Sequence, residues 1–502
     1  MNQSLGSLPG GSTLSDIGRT TGGESSPPPP YQRDAGELGL RDIGDGYCRA
    51  MATRLVIIGG GPGGHACATT AARLGAEVVL VERDTFGGAA HLWDCIPSKA
   101  MIATGNARSF MGRAMRMGLR DEGSSVDLAN LKERLSSIET RLEGSVRTLL
   151  ASQGVEMIDG VGSLLGPHLV AVESDEGHRE IEADSIVLAT GSRPRMPEWA
   201  NVDGDRILLT RDCYPPTELP EHIMVIGSGV TGVEFVHMFK SMGSEVTLVV
   251  SRQQVLPQKD PEVAAALEVD FLARGVKLLK GARATSVTRE GDSVVVKCDD
   301  GRIVSGSHAL VAIGSIPNSE LLGLDTAGVK SDRGYVPVDE HLRSNVPHIY
   351  AAGDVSGRLP LSSVASMQGR KIGEHVMGMT VRTHRHLDYD KAASAIFTEP
   401  EIADVGLAEA DAFSVGRKVR VTKVPFASAA KALINDDPRG FVKIVSDPAT
   451  GVVLGGSIVG QDAAELIAVI AVAVTNGLTV TDIHESILVH PTLSEALSEA
   501  AE

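Results

Sequence analysis

The sequence predicts an α/β protein built around two doubly wound parallel sheets. Three observations carry this reading. Short β-branched runs alternate with helical stretches after residue 51, a glycine-rich turn follows a strand at residue 59, and the same strand–glycine–helix–strand unit recurs from residue 223. At about 150 residues per domain, a chain of 502 residues has room for roughly three domains. The composition is globular, with 42% hydrophobic and 22% charged residues. A net charge of −17 argues against a nucleic-acid binder, whose surface must be basic, and 3% aromatics leave little for base stacking. The 56 glycines point to several tight backbone turns.

Residues 1–50 stand apart. Gly, Ser and Pro fill 21 of these 50 positions, including four consecutive prolines at Pro27–Pro30. Such a segment cannot offset its ordering entropy by burial, so disorder is expected. Met51 directly precedes the apolar run ending at Ile58, which places the start of the structured chain there. Gly59 to Gly64 then leads into an Ala-rich helix ending near Leu74, followed by an apolar strand from Glu77 to Glu82. Leu128, Leu131, Leu135, Ile138, Leu142 and Leu149 recur at helical spacing. The second unit runs from Ile223 to Val250, and the last hundred residues mix strands such as Gly440 to Val445 with an apolar helix near 463–475. The apolar run Leu466 to Val474 has nine residues, whereas a bilayer needs about 20, so no membrane-spanning helix is expected. The N-terminus lacks a charged-then-apolar export pattern. The five cysteines (Cys48, Cys67, Cys95, Cys213 and Cys298) are odd in number and without CxxC spacing, which fits a reducing, cytoplasmic compartment. No set of metal ligands is assigned.

Gly59, Gly61 and Gly64 match G-x-G-x-x-G, with Glu82 ending the next strand 23 residues after Gly59. The first glycine allows the tight turn, the second admits a pyrophosphate, and the third lets helix pack on strand. The helix N-terminus offers its free N–H groups to phosphate, and Glu82 is placed to accept from ribose hydroxyls. Gly227, Gly229 and Gly232 repeat the motif about 170 residues on, but the strand now ends Val249-Val250-Ser251-Arg252. An acid binds the free 2′-hydroxyl of NAD, whereas Ser251 and Arg252 can accommodate the 2′-phosphate of NADP. NADPH is therefore expected, with NADH as the alternative. Two fingerprints imply two dinucleotides, and a flavin beside a nicotinamide gives the pair a joint chemistry, hydride passing from one ring to the other.

From Met51 onward the chain resembles the flavoprotein disulfide reductases, which include dihydrolipoyl dehydrogenase, glutathione reductase and mercuric reductase. Ala189-Thr190-Gly191 resembles the crossover between their FAD and NADPH domains, and the run from Tyr350 to Asp354 resembles the second FAD motif. Phe397 to Ile402 resembles the start of their dimer-interface domain, Cys95-Ile-Pro-Ser-Lys99 the tail of the redox motif, and His490 to Glu495 the C-terminal His–Glu pair. The resemblance implies an FAD-binding domain over 51–195 and 325–388, an NAD(P)-binding domain over 196–324, and an α+β dimerisation domain over 389–502. It also puts Gly191, Gly314 and Asp354 on the flavin side, and pairs Lys99 with Glu234 close to flavin and nicotinamide, where a cation would stabilise negative charge.

The redox motif departs from the family pattern. Members read Gly-Gly-Thr-Cys, four residues, then Cys-Ile-Pro-Ser-Lys, whereas here Gly87-Gly88-Ala89-Ala90 precedes His91 to Asp94 and Cys95. An alanine cannot attack a disulfide, so thiol–disulfide exchange is not expected. The sequence thus resembles the NAD(P)H:quinone reductase branch, with FAD as cofactor, a homodimer as assembly and a diffusible quinone as acceptor. In the family the histidine reaches the neighbouring subunit's site; here His490, oriented by Glu495, would protonate a quinone oxygen. His91 and Trp93 sit where substrate could touch them. The rivals are a soluble transhydrogenase, a dihydrolipoyl dehydrogenase-like protein with an atypical redox site, and a non-catalytic FAD-binding scaffold.

Overall fold

A computed structural model describes residues 53–120, 123–379 and 386–502. The expected disorder of residues 1–50 lies outside the described residues. The first sheet has seven strands. Its parallel part runs Ile349–Ala351, Ser185–Leu188, Arg54–Ile58, Glu77–Glu82 and Glu156–Gly166 in spatial order. Strands Leu169–Ser174 and Gly177–Glu182 extend it as antiparallel hairpins, an addition that strand–helix alternation did not predict. Arg54–Ile58 is central, and Leu55 to Ile57 have no exposure, as a strand covered on both faces should. Helix Pro62–Arg73 packs on helix Ser362–Val376, where Gly369 permits the approach: a Cβ there would sit 2.0 Å from the Gly63 carbonyl oxygen. The late strand Ile349–Ala351 thus returns to the first sheet after the second has been built.

The second sheet is wholly parallel, in the order Lys277–Lys280, Glu245–Val250, His222–Ile226, His308–Val311 and Ile207–Leu209. An antiparallel meander over Ala284–Glu290, Ser293–Cys298 and Ile303–Gly306 accompanies it. Helix Leu128–Ser152 takes the periodic leucines, with Asp127 Oδ1 accepting from the amides of Ala129 and Asn130 at its N-terminus. Only part of that apolar stripe is buried: Leu131 and Leu135 are covered, while Leu149 is exposed.

The third body is a five-stranded antiparallel sheet, Ser394–Ile396, Glu401–Gly406, Val453–Gly460, Phe441–Ser446 and Arg420–Pro425, against which Ala463–Asn476 packs. Strand and helix fall within one residue of the sequence expectation. Among the described residues no helix is long and apolar enough to cross a membrane.

Candidate active site

The first parallel strand ends in Gly59, at φ +107°, where a Cβ would lie 2.3 Å from the Ala189 carbonyl oxygen. A Cβ on Gly64 would lie 1.9 Å from the Gly59 carbonyl oxygen. The chain's own backbone closes both positions. Gly61 is different, because φ −65° and ψ −174° suit any residue and its Cβ would meet only Gly88 Cα, at 3.9 Å. Nothing in the protein requires glycine at 61, so the requirement comes from whatever approaches the loop, as a pyrophosphate does. No side chain caps helix Pro62–Arg73, which leaves its first N–H groups for such an anion. Glu82 accepts from the amides of Gly60 at 2.6 Å and Asp84 at 2.8 Å, which orients its carboxylate on the cleft wall.

The second loop repeats this geometry. Gly227 has φ +118° with a Cβ position 2.2 Å from the Ala312 carbonyl oxygen, and a Cβ on Gly232 would lie 1.9 Å from the Gly227 carbonyl oxygen. Gly229, at φ −75°, has no atom within 4 Å of its Cβ position. Both loops therefore fit a dinucleotide phosphate. They differ in surroundings. The first lines a cleft of about 820 Å³, whereas Gly227, Gly229 and Gly232 do not line it, and from the second loop's helix Thr231 and Glu234 do. Ser251 and Arg252 are exposed and outside the cleft, and among the described residues Arg252 makes no ion pair.

Gly191, Gly314, Asp354, Cys95, Lys99 and Glu234 all line that cleft. Lys99 Nζ lies 2.8 Å from Glu234 Oε2, joining helix Cys95–Ala114 to helix Val230–Met242. Glu234 Oε1 accepts from the Phe397 amide at 3.0 Å, and Lys99 Nζ sits 5.0 Å from the Phe397 ring centroid. One buried carboxylate thus ties together all three bodies. Burial pushes Asp354 up, opposed by a hydrogen bond from Ser192 Oγ at 2.5 Å. Burial likewise pushes the Cys95 thiol up; Lys99 opposes this, and Asp94, Glu234 and Asp354 add to it. The balance favours the thiol of Cys95 over the thiolate, which is the reactive form of cysteine.

Ala90 to Asp94 form a π-helical turn that runs directly into helix Cys95–Ala114. Asp94 is held by Arg211 in a bidentate pair, Nε–Oδ1 at 3.0 Å and Nη2–Oδ2 at 2.8 Å, and the Arg211 guanidinium lies 5.3 Å from the Trp93 ring centroid. Trp93 lines the cleft and is 38% exposed. His91 does not line it: its Nδ1 is buried without a hydrogen bond, beside His65 at 6.2 Å between ring centroids, so the expectation that substrate touches His91 is corrected. His490 Nδ1 lies 2.7 Å from Glu495 Oε1, which also positions it, but neither residue lines the cleft of its own chain. The His490 side chain is 73% exposed.

Sequence reasoning missed the seam behind Lys99 and Glu234. His237 Nε2 is 2.7 Å from Asn106 Oδ1, and its Nδ1 is 3.1 Å from Arg274 Nη1. An arginine only donates, so Nδ1 accepts and Nε2 carries the proton. Burial, reinforced by Arg274, lowers His237 to about 3. Ser109 and Arg113 of the same helix reach Glu399, and Arg439 spans Glu399, Asp437 and Asp270. These residues come from scattered positions with no shared spacing. Asp94, adjacent to the motif cysteine, could have been flagged from sequence; Arg211 carried no signal.

The chain belongs to the pyridine nucleotide-disulphide oxidoreductase family: the family's main model matches residues 53–369 and its dimerisation-domain model residues 392–501. It is 42% identical over 466 residues to an NAD(P)H dehydrogenase (quinone) of Mycobacterium tuberculosis, covering 90% of this chain and 94% of that one. A dihydrolipoyl dehydrogenase of Zymomonas mobilis is 37% identical over 452 residues, covering 89% and 96%. The crystal structure of LpdA from Mycobacterium tuberculosis superposes with a TM-score of 0.85 at 40% identity, covering 90% of this chain and 99% of that one.

Proposed function

We propose that the protein is an FAD-dependent NAD(P)H:quinone oxidoreductase. The observation that carries this is Ala90, which stands five residues before a lone, free Cys95. With no exchanging thiol at 90, a disulfide acceptor has no nucleophile to meet. Bound FAD supplies the two-electron carrier between NAD(P)H and the acceptor. Gly59, Gly61, Gly64, Glu82, Gly191, Gly314 and Asp354 would hold it, and Gly227, Gly229, Gly232, Ser251 and Arg252 the nicotinamide dinucleotide, with NADPH preferred. These assignments follow the division into 51–195 with 325–388, 196–324, and 389–502.

Lys99, fixed by Glu234, places a positive charge on the cleft wall, where it favours electron-rich states of whatever lies beside it. The chain acts as a homodimer, consistent with its dimerisation-domain match and with a His490–Glu495 pair outside its own cleft. The partner subunit's His490 would then deliver a proton to a quinone oxygen. A cytoplasmic setting is consistent with Cys67, Cys95, Cys213 and Cys298 all being free.

An anaerobic acceptor screen tests this reading, with a soluble quinone, lipoamide, glutathione disulfide and NAD+ compared under NADPH. Rapid turnover of the quinone, with both disulfides at background, is the expected result. Turnover of lipoamide or glutathione disulfide would overturn it, and preferential reduction of NAD+ would make the protein a transhydrogenase.

A further inference from the structure

Away from the cleft, two imidazoles and a carboxylate converge from opposite ends of a 46-residue separation. Glu340 and His341 occupy a turn fixed by Asp339, whose Oδ1 accepts from the amides of His341 and Arg343, both at 2.9 Å. His341 Nε2 lies 3.8 Å from Glu340 Oε1. His386 arrives from the segment that leads into the antiparallel body, and its ring stands edge-on to His341 with centroids 5.0 Å apart. His386 Nδ1 is 3.4 Å from the Glu340 backbone oxygen. Donation from Nδ1 to a carbonyl is the usual second hydrogen bond of a metal-binding histidine. His375 stacks on His341 at 4.7 Å and steadies its ring.

We propose that Glu340, His341 and His386 bind one divalent ion of the zinc class. One ligand atom from each already lies within 4.8 Å of the others. Two ligands about 2.1 Å from a tetrahedral ion stand about 3.4 Å apart, so closure needs only small side-chain rotations. Glu340 is 67% exposed on its side chain and has the room to make them. Imidazole nitrogens select borderline ions over calcium or magnesium, which prefer all-oxygen shells. Three protein ligands leave the remaining position to water. None of the three residues lines the flavin cleft, so the ion would tie the 339–342 turn to the segment entering the antiparallel body without entering the redox reaction.

The test is calorimetric titration of ZnCl2 into the full-length, FAD-loaded protein after chelator treatment and dialysis. One ion per chain is expected, bound more weakly in acid because ligating imidazoles must be neutral. H341Q and H386Q should each weaken binding by at least the roughly tenfold that loss of an outer-shell partner produces. Their flavin absorbance and NADPH-driven flavin reduction should match the parent, showing intact folds. His168 and His348 stack elsewhere at 3.8 Å, and the H168Q/H348Q double variant should bind zinc as the parent does. Absence of saturable binding, zinc affinity unchanged in H341Q and H386Q, or an equal loss in H168Q/H348Q would each overturn the site.

Discussion

The two glycine loops are nearly the same object in different settings. In each, the first and third glycines are closed by neighbouring carbonyl oxygens at 1.9–2.3 Å, and the second is open on the protein side. The first loop lines a deep cleft, backed by helix Ser362–Val376 and finished by an acid, Glu82, that is itself hydrogen-bonded in place. The glycines of the second lie outside that cleft, and its strand is finished by the exposed Ser251 and Arg252. Identical phosphate geometry can thus serve a retained ligand in one place and an exchanging one in the other. Enclosure, rather than the fingerprint, separates the two.

The sharpest way to break this comparison is to fill the open glycine of each loop. Gly61→Val should yield protein lacking FAD, with occupancy reduced by about tenfold or more because the side chain takes the phosphate's space. Gly229→Val should keep its yellow colour and lose rapid flavin reduction by NADPH in stopped flow. A colourless Gly229→Val protein would mean that the loops are not independent.

A second, smaller effect concerns the seam behind Lys99 and Glu234. His237 is held neutral, at about 3 against an ordinary 6.5, so the unfolded chain binds the extra proton between those values. Its contribution to stability is complete above about pH 6.5 and is lost as pH falls toward 3. One proton corresponds to about 1.4 kcal/mol per pH unit. His237→Gln should flatten the acid limb of unfolding free energy against pH by up to that slope. An unchanged limb would place the titration elsewhere.

Third, Arg252→Glu should reduce NADPH efficiency about tenfold more than NADH efficiency, the size of one lost charged contact. Equal losses with both coenzymes would remove Arg252 from the 2′-phosphate. The smallest effect is expected at Cys95. Cys95→Ala should retain NADPH-dependent quinone turnover within about twofold, since a lone thiol with alanine at 90 has no partner for a disulfide relay. Lost turnover, with FAD content and flavin reduction intact, would assign the thiol an electron-transfer role.

What could be read in advance follows from where the constraint is local. The Gly59–Gly64 and Gly227–Gly232 turns are dictated within six residues, so spacing alone exposed them, and flanking strands and helices followed. Lys99 and Glu234 are 135 positions apart and became legible only through resemblance. Phe397, Arg211, Asn106 and His237 act through partners supplied by other bodies, and no periodicity marks such residues. The antiparallel strands after Glu156–Gly166 escaped notice because a strand's own pattern does not say which way its neighbour runs. His91 was misjudged because proximity in sequence to Cys95 says nothing about which side of a π-helical turn a ring occupies.

Ala90 has a consequence beyond electron flow. Soft thiophilic ions and trivalent arsenic bind thiolates, and they bind far more tightly where two sulfurs converge. Enzymes that cycle a cysteine pair beside their flavin expose such a chelate each time they are reduced. Here the same place offers a single sulfur, half-buried and with its thiol pushed up by burial. Beside Cys95 there is therefore no second sulfur at position 90 for such an ion to bridge.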